Sequence, residues 1–173
     1  GFVSIELDNS YHNTLEKVVT EYNYNMGIYL YQSYYNNVTN CTSRHSIVGE
    51  GFMGESGGYN NFTDVIAYNN TDGIALYYTE NYDVIKNAVS NNNRVGIILV
   101  MSYNSTIINS ISNNNTSDGI YLESSSDNTI TNSTSNYNTN VGISLYLSSN
   151  NRISNSMVSY DVYGFYLESG DYN

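Results

Sequence analysis

Glycoside hydrolysis needs two carboxylates across one bond, so the acids are the first residues to place. The sequence has no adjacent Asp pair and no Asp-x-Asp. Asp8, Glu55, Glu123 and Glu168 lie four residues past the start of a recurring tetrad, Gly-Ile-x-Leu, and Glu6 two past it. Tyr77, Val100 and Tyr146 hold that offset in the copies between, so no two of Glu55, Glu123 and Glu168 are neighbours. Asp72 and Asp118 each precede a tetrad but are two copies apart, roughly 10 Å if the copies stack. That is near the upper limit for an inverting pair, and Asp before Gly is read instead as turn chemistry. A lyase needs an acid-lined cation site and a base. Asp64 with Lys86 is the acid–base pair at a shared offset, and that offset makes it a structural ion pair. His12, His45 and the four Met share no offset, which leaves no set of ligands for copper and no metal or cofactor to expect. Cys41 is the single cysteine, which excludes an intrachain disulfide; it falls at an outward offset and reads as an inert small residue. No catalytic residue is assigned.

The element that must position these residues is the repeat itself. The tetrad starts at Gly27, Gly51, Gly73, Gly96, Gly119, Gly142 and Gly164, with a degenerate copy at Ser4. The spacings are 23, 24, 22, 23, 23, 23 and 22 residues. Its second and fourth residues are apolar in nearly every copy, as is the residue eleven on: Leu15, Val38, Phe62, Val84, Ile107, Ile130 and Ile153. Fifteen on, the residue is apolar or Thr: Val19, Thr42, Ile66, Ala88, Ile111, Thr134 and Met157. Such short period-two runs are the pattern of half-buried strands, and no window keeps a helical spacing. A unit this small cannot bury its own apolar side and must stack on its neighbours. The expected fold is all-β: one parallel β-helix domain spanning residues 1–173, of about eight coils and three short strands per coil. Eight coils make a rod about 35–40 Å long.

Thirteen residues past each start the sequence is polar: Lys17, Asn40, Asp64, Lys86, Asn109, Asn132 and Asn155. Stacked coils would bring Asn109, Asn132 and Asn155 into an inward side-chain ladder of the cross-β kind. The recurring Gly is expected to supply a positive φ or a tight corner. On the outward side of the tetrad strand, Tyr29, Tyr31, Tyr77, Ile98, Val100, Tyr121, Tyr146 and Tyr166 form an aromatic and aliphatic stripe. A stripe of this kind on a face that is usually polar marks a contact surface.

The net charge is −11 with only five Lys and Arg, which excludes a phosphate-binding partner such as nucleic acid. No stretch approaches the 18 apolar residues of a membrane-spanning helix. The composition, rich in Tyr, Asn, Ser and Thr without Pro or Trp, suits an extracellular or cell-surface location. Sequons occur at Asn37, Asn61, Asn69, Asn104 and Asn114, the expected glycosylation sites, and at Asn115. Those at Asn40 and Asn132 share the ladder offset and are expected to face inward and stay bare. The chain starts in phase with the repeat and stops at Asn173 in mid-coil, which reads as a mature or trimmed piece.

The pattern Gly-Ile-x-Leu followed by Asn-x-x-Ile-x-Asn-Ser, carried by all the coils, resembles the right-handed single-stranded parallel β-helix repeats of pectin-lyase-like proteins. It is most similar to the NosD-like, carbohydrate-binding and sugar-hydrolysis branch. The resemblance implies the fold. Its members range over polysaccharide lyases, glycoside hydrolases, phage spikes, surface-layer proteins and a periplasmic copper-processing factor, so function rests on the sites. The residues favour a non-catalytic, glycosylated surface, sheath or filament component. Its partner would be a second copy, met end to end through uncapped coils or laterally through the Tyr flank, or else a cell-surface glycan. The alternative is a carbohydrate-active β-helix or its glycan-binding portion.

Overall fold

The structure, a computed structural model, describes residues 2–173; Gly1, first residue of the opening run Gly-Phe-Val-Ser-Ile-Glu-Leu, lies outside them. The described residues contain strands and no helix. A long sheet of eight parallel strands runs the length of the molecule: Val3–Asp8, Met26–Tyr31, Phe52–Glu55, Asp72–Tyr77, Val95–Val100, Ile120–Glu123, Val141–Tyr146 and Tyr163–Glu168. A second sheet has seven strands, from Thr14–Glu16 to Arg152–Ser154. The third is built from Val19–Glu21, Thr42–Arg44, Ile66–Tyr68 and Val89–Asn91, then Thr134–Asn136 and Met157–Ser159, with bridges at Ile111 linking the two parts. Each strand pairs with its equivalent one repeat later, so the molecule is a right-handed parallel β-helix.

The core follows from this register. Ile28, Phe52, Ile74, Ile97, Ile120 and Ile143 stack in one buried column, and Leu30, Leu76, Leu99, Leu122 and Leu145 in a second. Gly54 interrupts the leucines. Phe62 of the second sheet fills the space, packing edge-on to Phe52 at 6.4 Å with its ring tip against the Gly54 site.

The corners decide which side chains point inward. Thirty non-glycine residues have positive φ, and among the described residues no glycine does. Lys17, Asn40, Asp64, Asn87, Asn109, Asn132 and Asn155 form one such corner between the second and third sheets. A left-handed residue uses one position without crossing the sheet, which reverses the in–out alternation beyond it. This corrects three expectations. Asn109, Asn132 and Asn155 are exposed, as is Asn40, and only the Asn109-to-Asn87 side-chain bond (3.3 Å) links Asn to Asn at that corner. Val19, Ile66, Ile111 and Met157, fifteen past the tetrad start, are on the outside of the third sheet. Cys41 instead faces inward, fully buried, its thiol donating to the Thr39 carbonyl at 3.3 Å; in the same column Ser110 and Ser133 donate likewise to the carbonyls two residues before them, of Ile108 and Thr131.

One coil is longer by a residue between Tyr77 and Val84. Its inward residue is therefore Ile85, paired with Phe62 and Ile107, while Val84 faces outward beside Asn61 and Thr106. Lys86 is in register with Thr63, and Asn87 takes the place beside Asp64, donating to its carboxylate at 2.9 Å. The expected Asp64–Lys86 ion pair is not formed.

The repeating Gly answers to space. A Cβ on Gly96 would lie 1.7 Å from Ser112 Oγ and 2.7 Å from the Gly119 oxygen. The third sheet places small residues there, and Ser90, Ser112 and Ser135 donate to the carbonyls of Gly96, Gly119 and Gly142.

Buried polar ladders do exist, at other corners. In one, Asn36, Asn60, Asp83, Ser105, Asn128 and Asn151 occupy equivalent places; Asn60, Asp83, Asn128 and Asn151 each accept from the backbone N–H one coil earlier. The Asn side-chain amides donate to Ser carbonyls: Asn36 to Ser10, Asn60 to Ser33, Asn128 to Ser102 and Asn151 to Ser125. A second ladder runs through Asn70, Asn93, Asn115 and Asn138 to Asp161. In the first, Asp83 replaces Asn, and its Oδ2 is buried without a partner. That oxygen stands where the other rungs present N–H to a carbonyl, and burial pushes the carboxyl up to about 6.

Candidate functional site

The outer face of the long sheet carries the densest chemistry. Strand alternation puts two columns there. One reads Glu6, Tyr29, Met53, Ala75, Ile98, Tyr121, Ser144 and Tyr166 in register. The other reads Asp8, Tyr31, Glu55, Tyr77, Val100, Glu123, Tyr146 and Glu168. All the stripe residues read from the sequence therefore share this face, but not equally. Ile98 is buried with Met53, Ala75 and Val95, and Tyr29, Tyr77, Val100 and Tyr121 pack on that patch. Tyr166 is exposed, while Tyr31 and Tyr146 are half-buried.

The tyrosines are held by the acids that alternate with them. Tyr29 donates to Glu55 at 2.5 Å, Tyr121 to Glu123 at 3.1 Å and Tyr166 to Glu168 at 2.6 Å. Burial first, and the partner carboxylate second, raise Tyr29 above the ordinary phenol range and push Tyr121 up to about 12. These hydroxyls stay protonated at any physiological pH and donate to fixed acceptors, so each ring keeps one orientation. Toward one end, Tyr121, Ser144, Tyr146, Tyr163 and Tyr166 line an open groove of about 450 Å³ with Asp118 and Asn140.

Along the edge where each strand begins lie Glu50, Asp72 and Asp118. Asp72 and Asp118 are buried, and each accepts from the backbone N–H of the next coil, Val95 at 3.2 Å and Val141 at 3.1 Å. Asp72 also pairs with Arg94 at 2.6 Å, and Asp118 accepts from Asn140 at 2.8 Å. Both are thus committed to backbone and neighbours, with Val95 between them in the stack. Glu50 precedes Gly51 as Asp72 precedes Gly73, one coil away. Burial first and then Asp72 raise the Glu50 carboxyl; burial also raises Asp72, against the pull of Arg94. Glu50, its carboxyl raised, and the ion-paired Asp72 thus lie on adjacent coils, a placement of the kind acid–base chemistry uses. Glu50 holds the same place before its tetrad as Asp72 and Asp118, a third member of that set that the sequence reading left out.

The remaining residues singled out lie elsewhere. His12 stacks on Tyr35 at 5.2 Å and His45 on Tyr22 at 5.0 Å, on different corners of the coil. Among the described residues no three His, Cys, Asp or Glu side chains are grouped to hold a metal ion. Sequon residues Asn37, Asn69 and Asn114 are exposed, Asn61 and Asn104 half-buried, and Asn61 donates to Asn37 at 3.0 Å. Asn115 is a buried ladder rung, and Asn40 and Asn132 face solvent rather than the interior.

Solved structures share this fold. The A-module of the Azotobacter vinelandii mannuronan C-5 epimerase AlgE6 superposes with a TM-score of 0.82 at 18% identity, over 87% of this chain and 42% of that one. Pectate lyase Pel9A gives 0.69 at 21%, over 87% and 47%. The catalytic domain of a GH87 alpha-1,3-glucanase gives 0.56 at 13%, over 95% and 46%. The chain thus spans less than half the length of each. No curated protein matches it. The family model described as "Periplasmic copper-binding protein (NosD)" matches residues 2–92 and again 53–173. Repeat, register and family match agree, and the chain belongs to the NosD family.

Proposed function

We propose that this β-helix is a non-catalytic glycan-binding protein located outside the cytoplasm, in the periplasm or at the cell surface, with the outer face of its long sheet as the binding surface. The observation that carries the reading is the stripe of tyrosines on that face, three of which, Tyr29, Tyr121 and Tyr166, hold their hydroxyls on glutamates. Such rings offer flat apolar area with a polar rim at little entropic cost. The similar structures are named for mannuronan, pectate and alpha-1,3-glucan chemistry, which supports a saccharide ligand. The face itself argues against a polyuronate. It carries Glu50, Glu55, Asp72, Asp118, Glu123 and Glu168, and its one cation, Arg94, is already paired with Asp72. The ligand is therefore a neutral polysaccharide. Copper, in the family description, finds no fitting donor set here: the two imidazoles sit on different corners and the thiol is buried.

Migration through gels containing neutral or uronic polysaccharides tests this. The chain is expected to be retarded by a neutral glucan or mannan and not by alginate or pectate. Tyr121→Ala and Tyr146→Ala should each weaken binding about five- to tenfold, roughly 1–1.4 kcal/mol. Retardation by the uronates alone contradicts the reading, and oligomerisation without retardation would assign the face to contacts between copies. In a glycosylating host, sugar belongs on exposed Asn37, Asn69 and Asn114 and not on Asn115, which peptide mass mapping reads directly.

The placement of Glu50 and Asp72 on adjacent coils favours a second reading, glycoside hydrolysis. It predicts release of reducing ends from a neutral glucan, abolished in Glu50→Gln. Binding without release in the wild-type chain discards it.

A further inference from the structure

Aromatic residues also stack at the corners, away from the long-sheet face. The closest pair is Tyr137 and Tyr160, on consecutive coils with left-handed backbones (φ 58° and 61°). Their ring centroids are 4.5 Å apart and their planes differ by 1°. The rings cover each other's faces, yet the residues are 54% and 75% exposed, so the ring edges and hydroxyls are open to solvent. Tyr29, Tyr121 and Tyr166 have carboxylate partners; neither of these phenols bonds to a described residue. The pair makes no contact that the glycan-binding face uses.

We propose that Tyr137 and Tyr160 form an oxidative modification site, at which a one-electron oxidant joins the two rings as an intrachain dityrosine. The oxidant class is hydrogen peroxide acting through a haem peroxidase. Each phenol loses one electron and one proton to give a tyrosyl radical, whose unpaired spin is shared with the ring carbons ortho to the oxygen. One ortho carbon of each ring forms the new C–C bond. The two ring hydrogens then shift to the oxygens and restore both phenols. The protein loses two hydrogens in total, and one peroxide takes up two electrons and two protons to become two waters. Coupling ordinarily competes with diffusion of the radical's partner. Here the partner is held at the next coil by the ladder, so the reaction becomes intramolecular with a preset geometry. The product fastens the coil that starts at Gly119 to the one that starts at Gly142. Tyr35 and Tyr59, parallel within 13° at 4.8 Å, are a looser version of the same arrangement.

The dilute folded chain is treated with peroxidase and hydrogen peroxide, and the monomer is analysed for dityrosine fluorescence and by fragmentation mass spectrometry. The expected product is a monomer two hydrogens lighter, with Tyr137 linked to Tyr160. Tyr137→Phe and Tyr160→Phe should each lose this link, and Tyr163→Phe should keep it. The wild-type map alone can overturn the proposal. It fails if the folded monomer carries no 137–160 link, or if the urea-unfolded chain forms that link in equal yield.

Discussion

Asp83 sets a pH dependence on the whole rod. At its rung the neighbouring Asn side chains donate to a carbonyl, and only the protonated acid can do the same. Its carboxyl is raised from the ordinary carboxylate range to about 6 by burial. Below the unfolded value, near 4, both states hold the proton and the group costs nothing. Between about 4 and 6 the unfolded chain releases the proton and the folded chain keeps it, so stability falls as pH rises; above about 6 the loss is complete, on the order of 2–3 kcal/mol. Asp83→Asn should therefore match the wild type at pH 4 and be more stable by about that amount at pH 7.5 in urea melts. Equal stability of the two at both values would mean that Asp83 is solvated. Leu99 and Leu122, both fully buried, test the core in the same way: Leu→Ala at either should cost about 2–5 kcal/mol. A loss under half of one kcal/mol would place those residues outside the stack.

At the scale of the elements, the recurring glycine is a packing residue. Gly96→Ala drives a methyl into Ser112 Oγ and into the Gly119 carbonyl, and is expected to destabilise by roughly 1–3 kcal/mol. Gly96→Ala with Ser112→Ala should recover only part, because the backbone oxygen and Asn115 Nδ2, both at 2.7 Å, remain. The two inward columns of the tetrad and the outward tyrosines were legible in the sequence, since both follow simple alternation within a strand. What lay beyond the first corner was not. A left-handed residue such as Asn132 has the same composition as a ladder Asn, and the reversal of in and out behind it leaves no mark in the residue types. Val19, Ile66 and Met157 are apolar and exposed, while Ser112 and Ser135 are polar and buried. The true ladders could have been found at the offset shared by Asn36, Asn60, Asn128 and Asn151, which recurs as regularly as the tetrad. The extra residue ahead of Val84 moved Lys86 away from Asp64, and no local feature announces it.

For the whole molecule, stacking converts one short motif into a surface about 35 Å long with a repeat near 4.8 Å, a shape matched to a polymer lying along or across the strands. The candidate site shares this partial legibility: the tyrosine stripe was readable, and Glu50, Glu123 and Glu168 stand at readable offsets, whereas the bond from Tyr29 to Glu55 emerges only from the register. The most direct test of the account is an oxidative footprint of the chain with and without a neutral oligosaccharide that retards it. Binding on the long sheet predicts protection of Tyr121, Tyr146 and Tyr166, with Tyr35, Tyr59 and Tyr137 unchanged. Protection of the corner tyrosines, with the long-sheet face left as reactive as before, would contradict it.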